Sequence, residues 1–234
     1  MGASNDNIDE MLQTDPELVC GIKVFMGSST GNMLVDNEKT LNQIFSRAPL
    51  LIAVHCEDEA TIKANEQRAR SKFGEEVPFE EHCRIRDRNA CMLSSRKARA
   101  LAKKNDTRLH ILHLTTKEEA NDGDSTVLLK NKRITSEVCV HHLWFSEHDY
   151  AQLGAGIKCN PSIKIAEDRN ALRNALINGT IDLAATDHAP HTKEEKANSY
   201  FNSPSGLPLV QHSLLVMLEM VHQGIFSLEQ LSNG

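Results

Sequence analysis

One pattern recurs along this chain: a short apolar run ends in a residue that can bind a metal ion or exchange a proton. The clearest case spans residues 181–191, where an apolar run to Ala185 leads into Thr186, Asp187 and two histidines. The run has the length and composition of a buried strand. Pro190 ends regular structure soon afterwards. An aspartate at the end of a buried strand faces away from the core, so Asp187 is a candidate site residue.

Four further apolar runs lie upstream, at residues 19–26, 50–57, 108–114 and 134–143. The first contains Lys23 and the second His55, and the third contains His110 and His113. The last two are three residues apart, so on a strand their side chains point to opposite faces. We therefore expect His113, nearer the strand end, to face a site and His110 to face away from it.

The stretches between the runs favour helices. They cover residues 36–48, 58–72, 85–104, 166–178 and 207–222, with a short helix or turn at 147–153 and a polar loop at 193–204. Residues 117–130 are expected to be helical in part, with an interruption at Gly123. Strands that alternate with helices indicate parallel βαβ units and an α/β fold. The candidate residues are spread over nearly the whole chain, which favours a (β/α)₈ barrel over a doubly wound sheet with one switch point. The polar residues 1–18 predict a loop or frayed helix outside a barrel domain at 19–234.

Composition excludes several classes of protein. The chain has 234 residues, of which 40% are hydrophobic and 25% charged, as in an ordinary soluble domain. A formal charge of −6 disfavours nucleic acid as a partner. No apolar run approaches the ~20 residues of a membrane span, and the polar, acidic start is unlike a signal peptide. Six cysteines without a Cys-x-x-Cys pair argue against a zinc ribbon and predict a cytoplasmic protein.

Lys23, His55, His113 and Asp187 form the candidate constellation. Taken singly, each has a simpler interpretation: a lysine that reaches the surface, two hydrogen-bonded core histidines, an aspartate that caps a helix. Together they are hard to explain by packing. Imidazole and carboxylate are zinc ligands, and two metal ions can turn a shared water into hydroxide near neutral pH. An ammonium group has no acceptor, so Lys23 must be deprotonated, modified or not a ligand.

Six motifs, in their order and spacing, resemble those of the dihydroorotases, cyclic amidohydrolases of the barrel superfamily that includes hydantoinases and allantoinases. The motifs are Gly21–Met26, Val54–Asp58, Leu112–Thr116, Glu137–Leu143, Asn160–Pro161 and Thr186–His191. The resemblance runs from about residue 19 to the end. It implies a zinc hydrolase that reversibly closes N-carbamoyl-L-aspartate to L-dihydroorotate in pyrimidine biosynthesis.

The resemblance also implies roles for the constellation. A carboxylated Lys23 would bridge two zinc ions, and His55 and His113 would bind one of them. Asp187 would bind the other zinc and act as the general base and then as the general acid.

Further residues are implied to contact a small-molecule substrate. Asn160 would hydrogen-bond the pyrimidine ring, and His191 would contact the substrate carboxylate. A loop resembles the mobile segment that closes over the substrate in some members: Ser28, Ser29, Thr30, Gly31 and Asn32. No nucleic-acid or membrane partner is expected, and association into a homo-oligomer stays open.

One departure from the family pattern concerns the first strand of the barrel. The family carries a His-x-His pair there, two ligands of the first zinc, whereas the first histidine here is His55. Family members are also longer at both ends. We therefore expect an internal piece, an incomplete barrel with about five of eight strands. Alone it should be a poor enzyme, because one zinc would keep only Asp187 and Lys23, fewer than the three protein ligands usual for catalytic zinc.

Two alternatives stay open beside dihydroorotase. The first is a hydantoinase or dihydropyrimidinase. Such sequences usually lack the second histidine of Asp187–His191 and have Ser-Pro in place of Asn160–Pro161, so both features favour dihydroorotase. The second is a catalytically inactive dihydroorotase-like assembly partner. The missing His-x-His supports it, and the intact constellation argues against it.

Overall fold

The sheet is parallel throughout and adds each new strand beside the previous one. The computed structural model describes residues 1–27 and 33–232. Its strands are β1 (Ile22–Phe25), β2 (Ile52–His55), β3 (Leu109–Ile111), β4 (Ile134–Cys139) and β5 (Leu183–Ala185), paired in that order. A sheet without a reversal of strand order has no switch point, which separates it from a doubly wound sheet. In the described part β1 and β5 do not pair, so the fold is an incomplete (β/α)₈ barrel, as predicted.

Helices connect and flank these strands. They are α1 (Ile8–Leu12), α2 (Glu38–Arg47), α3 (Glu59–Phe73), α4 (His82–Ile85), α5 (Arg88–Asn105), α6 (Lys117–Asn121), α7 (Val140–Trp144), α8 (Tyr150–Leu153), α9 (Ala166–Ile177), α10 (Lys193–Lys196), α11 (Ser213–His222) and α12 (Leu228–Ser232). The side chains of Asn37, Asp58 and Asp87 each accept a hydrogen bond from a backbone N–H of the first helical turn that follows, which fixes the starts of α2, α3 and α5. Among the described helices, none combines the length and apolar character that crossing a membrane requires.

Three predicted elements differ from the structure, and a fourth agrees with it. The strand predicted over 134–143 ends at Cys139, and helix α7 follows at once. The partial helix over 117–130 ends at Asn121, before the predicted interruption at Gly123, where a Cβ would be 2.1 Å from the Thr180 carbonyl oxygen. The helix predicted from 207 begins only at Ser213, and Leu207 instead pairs with His188 in a parallel bridge. The polar loop at 193–204 contains the short helix α10.

The N-terminal segment packs into the fold instead of lying free. Gly2 pairs with Lys23 in a parallel bridge, and Lys23 N donates to Met1 O while Ala3 N donates to Lys23 O, both at 2.8 Å. Ala3 and Met11 are fully buried. An extended segment thus covers the edge of β1, whose unpaired backbone groups would otherwise be open to another chain.

The two faces of the sheet have different chemistry. Ile22, Val24, Ile52, Val54 and Ile111 are fully buried and belong to one apolar core with side chains of α2, α5 and α9. The alternate residues point to the other face, since side chains alternate along a strand. This second face carries the polar side chains of the candidate site.

Candidate active site

The structure brings the four constellation residues to one end of the sheet. Lys23 lies within β1 and His55 ends β2, while His113 and Asp187 each lie two residues beyond a strand end. Burial lowers the pKa of Lys23, and the Asp187 carboxylate nearby partly offsets this effect. Burial raises the pKa of Asp187, and His55 and Lys23 oppose that rise. These mutual effects show that the side chains share one electrostatic environment.

His55 and His113 point ring nitrogens at each other. His55 Nδ1 lies 2.9 Å from His113 Nε2, and both residues are buried. On its other side, His55 Nε2 lies 3.0 Å from Glu57 Oε2. An ionised carboxylate only accepts hydrogen bonds, so His55 Nε2 donates. In the neutral ring, Nδ1 then holds a lone pair directed at His113.

Glu57 is ionised although it is completely buried. Burial raises its pKa, but Arg86 and the hydrogen bond from His55 more than offset this and lower it to about 2. Arg86 donates to the same carboxylate oxygen as His55. Burial, together with the charges of His55 and Lys23, holds the pKa of the neighbouring His113 well below its ordinary value. These surroundings favour the neutral ring of His113, the form in which imidazole binds metals.

His110 does not face away from the site, so the prediction for it was wrong. Strand pairing places it in one row with Lys23, and residues in register on parallel strands share a face. Its ring contacts Thr135 Oγ1 at 2.8 Å and Glu137 Oε2 at 3.0 Å. His113 nevertheless faces the site too, because it lies beyond β3 with φ of 57°. Strand alternation does not extend through such a left-handed residue.

Asp187 follows β5 in a left-handed backbone conformation. Its φ is 44°, a strained conformation of the kind that clusters at functional sites. Among the described residues, its carboxylate is not one of three His, Cys, Asp or Glu ligand atoms within 4.8 Å of one another. The carboxylate nevertheless lies close enough to His55 and Lys23 for their charges to lower its pKa.

The predicted substrate contacts lie on neighbouring loops. Gly206 N donates to Lys158 O, and Ala189 N donates to Leu207 O. Backbone hydrogen bonds therefore join the segments that carry Asn160 and His191 to residues 206–207. A Cβ on Gly206 would lie 2.5 Å from the Ala189 carbonyl oxygen, which only glycine avoids. His191 Nδ1 lies 3.7 Å from Glu195 Oε2, at the start of α10. The predicted mobile loop, Ser28 to Asn32, falls outside the described residues.

Sequence reasoning missed the residues that surround the constellation. Glu57 was seen only as part of a motif, although an acid two residues after a strand-end histidine could have indicated a partner for its ring. Glu137 also lies within one of the motifs, and the sequence indicates no role for it. The structure places it against His110 and on the face that carries Lys23.

Comparisons with known proteins place the chain among amidohydrolases. No protein-family model matches the sequence. The dihydroorotase of Methanosarcina acetivorans is 34% identical over 218 residues, which cover 89% of this chain and 45% of the relative. The dihydroorotase of Bacillus cytotoxicus is 39% identical over 136 residues, or 56% of this chain and 31% of the relative. The chain thus spans about half the length, or less, of these relatives.

Solved structures show the same fold. A D-hydantoinase aligns with a TM-score of 0.84 at 24% identity and covers 100% of this chain and 52% of its own. The L-hydantoinase (dihydropyrimidinase) of Arthrobacter aurescens gives 0.85 at 23%, with 97% and 52% covered. The dihydroorotase of Saccharomyces cerevisiae, in complex with 5-fluoroorotic acid, gives 0.72 at 17%, with 98% and 61% covered. At these identities the likeness shows the barrel architecture alone.

Proposed function

Since this chain belongs by sequence to the dihydroorotase family, we propose that its site interconverts L-dihydroorotate and N-carbamoyl-L-aspartate. One observation carries the proposal: two buried ring nitrogens, His55 Nδ1 and His113 Nε2, face each other at 2.9 Å beside Lys23 and Asp187. The proposed enzyme is a cytoplasmic hydrolase of pyrimidine biosynthesis that acts on a small molecule.

The residues fit the zinc ions that such an enzyme uses. Zinc in catalytic sites takes imidazole and carboxylate ligands, and a metal-bound histidine usually donates its other ring N–H to a carboxylate. Glu57 accepts that bond from His55 at 3.0 Å. His55, His113 and Lys23 would hold one ion, and Lys23 and Asp187 would hold the other. Bound zinc supplies a coordinated water whose pKa is near 7.

Lys23 is suited to carboxylation. Burial lowers the pKa of its ammonium group, so the neutral amine is easier to form. A neutral amine can add to carbon dioxide, with formation of an N–C bond and release of a proton. The resulting carbamate has two oxygens where the ammonium had only donors. We propose this modified lysine as the ligand that both ions share.

Asp187 is the proposed general base and acid. Burial raises its pKa, which brings a carboxylate nearer to the pH at which it can take and return a proton. In the hydrolytic direction the water oxygen bonds to the ring carbonyl carbon and its proton goes to Asp187. The ring C–N bond then breaks, and Asp187 gives the proton to the departing nitrogen. Asn160 would hold the pyrimidine ring and His191 the substrate carboxylate.

The test is hydrolysis by the purified, zinc-loaded chain of 234 residues, with dihydroorotate, dihydrouracil and hydantoin as parallel substrates. We expect slow, zinc-dependent hydrolysis of dihydroorotate that Asp187→Asn abolishes. Asp124→Asn, a change at an exposed aspartate, is the matched control and should leave the rate unaltered.

Other outcomes decide between the alternatives. Preference for hydantoin or dihydrouracil would assign the chain to the hydantoinase group. No hydrolysis of any substrate, with zinc bound through His55 and His113, would favour an inactive assembly partner. If His55→Asn and His113→Asn left zinc content unchanged, the proposed site itself would be wrong.

A further inference from the structure

A second group of metal-binding side chains lies where β4 passes into α7. Cys139 ends the strand, and His141 and His142 lie in the first turn of the helix. The thiol sulfur and one ring nitrogen from each histidine all lie within 4.8 Å of one another. All three residues are buried, with Cys139 at 0%, His141 at 2% and His142 at 3% exposure. The close spacing follows from the chain, because the three residues fall within four positions.

The two histidines hold buried nitrogens that nothing in the described structure satisfies. His142 Nε2 lies 3.0 Å from the Pro161 carbonyl oxygen, which can only accept, so Nε2 carries the hydrogen. In the neutral ring, Nδ1 then holds a lone pair, and this atom is buried without a hydrogen-bond partner. His141 Nδ1 is also buried without one. Unsatisfied buried polar atoms are rare in folded proteins and require an explanation.

A buried water would satisfy the nitrogens, but it would not account for the thiol beside them. Zinc would account for all three, because cysteine sulfur and imidazole nitrogen are its preferred structural ligands. Bond lengths of about 2.0–2.3 Å would bring the ligand atoms to roughly 3.3–3.7 Å from one another. Movements of about 1 Å in the ligand atoms, through rotation of their side chains, would therefore bring the group into contact with one ion.

We propose that Cys139, His141 and His142 form a second metal site, one that takes zinc through a thiolate and two imidazoles. The thiol loses its proton when the metal binds. The site is separate from the proposed active site, whose ligands contain no sulfur, and it does not depend on the proposed function. It adjoins that site, since Cys139 is in register with Ala185, two residues before Asp187. A bound ion would fix the turn from β4 to α7.

Cobalt(II) in place of zinc gives a direct test on the purified chain. A thiolate bound to cobalt produces a ligand-to-metal charge-transfer band in the near ultraviolet, whereas a site of lysine carbamate, histidine and aspartate does not. We expect this band in the unaltered chain. It should disappear in Cys139→Ser and persist in Cys91→Ser, which removes another buried thiol, on α5.

A further variant separates the two sites. His113→Asn removes a proposed active-site ligand and should leave the band intact. If the band vanished in His113→Asn, the thiolate would belong to the active-site ion, and the second site would be wrong. No band in the unaltered chain, or a band that survives Cys139→Ser, would overturn it equally. Absence of dihydroorotate hydrolysis in the unaltered chain, with the band present, would count against the proposed function only.

One measurement avoids dependence on the folding of Cys139→Ser. X-ray absorption of the zinc-loaded unaltered chain should show a sulfur neighbour at about 2.3 Å from zinc. A coordination shell of nitrogen and oxygen alone would refute the thiolate site without any variant.

Discussion

A single buried carboxylate, that of Glu57, decides which nitrogen of His55 faces His113. It accepts from His55 Nε2 at 3.0 Å and from Arg86, and so directs His55 Nδ1 toward the proposed metal position. Such a partner fixes the tautomer and the orientation of a ligand ring. Glu57 is therefore a positioning residue of the proposed site.

Replacement of this carboxylate should weaken metal binding without removal of a ligand. We expect Glu57→Gln to lower zinc affinity about 10–100-fold, the usual effect of a lost outer partner, because the amide no longer compels His55 Nε2 to donate. Competition with a chromophoric chelator measures the affinity. The exposed Glu76→Gln is the control, and equal affinity in both variants would exclude the positioning role.

The same carboxylate predicts a pH dependence of stability. Burial raises the pKa of Glu57, but Arg86 and His55 lower it overall from 4.5 to about 2. A carboxyl group whose pKa is lower in the folded state stabilises the fold at pH values above its unfolded pKa. This stabilisation is lost as the pH falls toward the folded pKa. The free energy of unfolding should therefore decrease between pH 4.5 and about 2, and it should decrease less in Glu57→Gln. Urea unfolding at several pH values in metal-free buffer checks this, and equal slopes would contradict it.

Lys23 gives the third prediction at this scale. Lys23→Ala should abolish dihydroorotate hydrolysis, because the shared carbamate is lost, and a short carboxylic acid added to the variant should restore part of the rate. Lys39→Ala, at an exposed lysine, should do neither. A Lys23→Ala chain with nearly unaltered turnover would rule out the carbamate.

At the scale of elements, one carboxylate joins the first turns of three helices. Asp168, near the start of α9, accepts from Arg88 at 2.8 and 3.0 Å and from Lys117 N at 2.9 Å. Arg88 begins α5 and Lys117 begins α6, directly after the loop that carries His113. These helices begin at the end of the sheet that carries the site, so Asp168 holds their first turns together beside it.

Loss of this junction should destabilise the whole chain. We expect Asp168→Asn to lower the free energy of unfolding by about 1–3 kcal/mol, because Arg88 loses its buried carboxylate partner and keeps the partly exposed Glu118. Its neighbour Glu167 is exposed, and Glu167→Gln should alter stability by less than about 0.5 kcal/mol. Urea unfolding midpoints distinguish the two, and equal midpoints would show that the junction contributes nothing.

At the scale of the molecule, the proposed zinc ligands come from different strands, so metal binding and folding are coupled. Lys23, His55 and His113 belong to three neighbouring β-α units and converge only in the folded chain. Zinc at 100 times its dissociation constant should add about 2.7 kcal/mol to the free energy of unfolding. Thermal unfolding with and without zinc measures this. His113→Asn should lose much of the increase. An equal increase in that variant would show that the stabilising zinc does not bind at the proposed site.

The sequence by itself determined the order of elements, the parallel α/β architecture and the positions of the candidate residues. Apolar runs and helical periodicity are local properties, and the rule that parallel strands end at one edge is general. Lys23, His55 and Asp187 could therefore be placed near one another before the structure was considered. The helices α2, α3, α5 and α9 were located within a few residues, because their capping residues and apolar stripes are local as well.

Only the tertiary structure decided how the side chains are aimed. His113 turns toward His55 through a left-handed backbone, and strand alternation gives no indication of it. The change from β4 to α7 at Cys139 brings a thiol and two imidazoles together, although the apolar run reads as one strand. The covering of β1 by residues 1–3 and the bond from Arg86 to Glu57 depend on segments that meet only after folding. Such arrangements are set by backbone torsions at strand ends and by packing between distant segments, which local patterns do not encode.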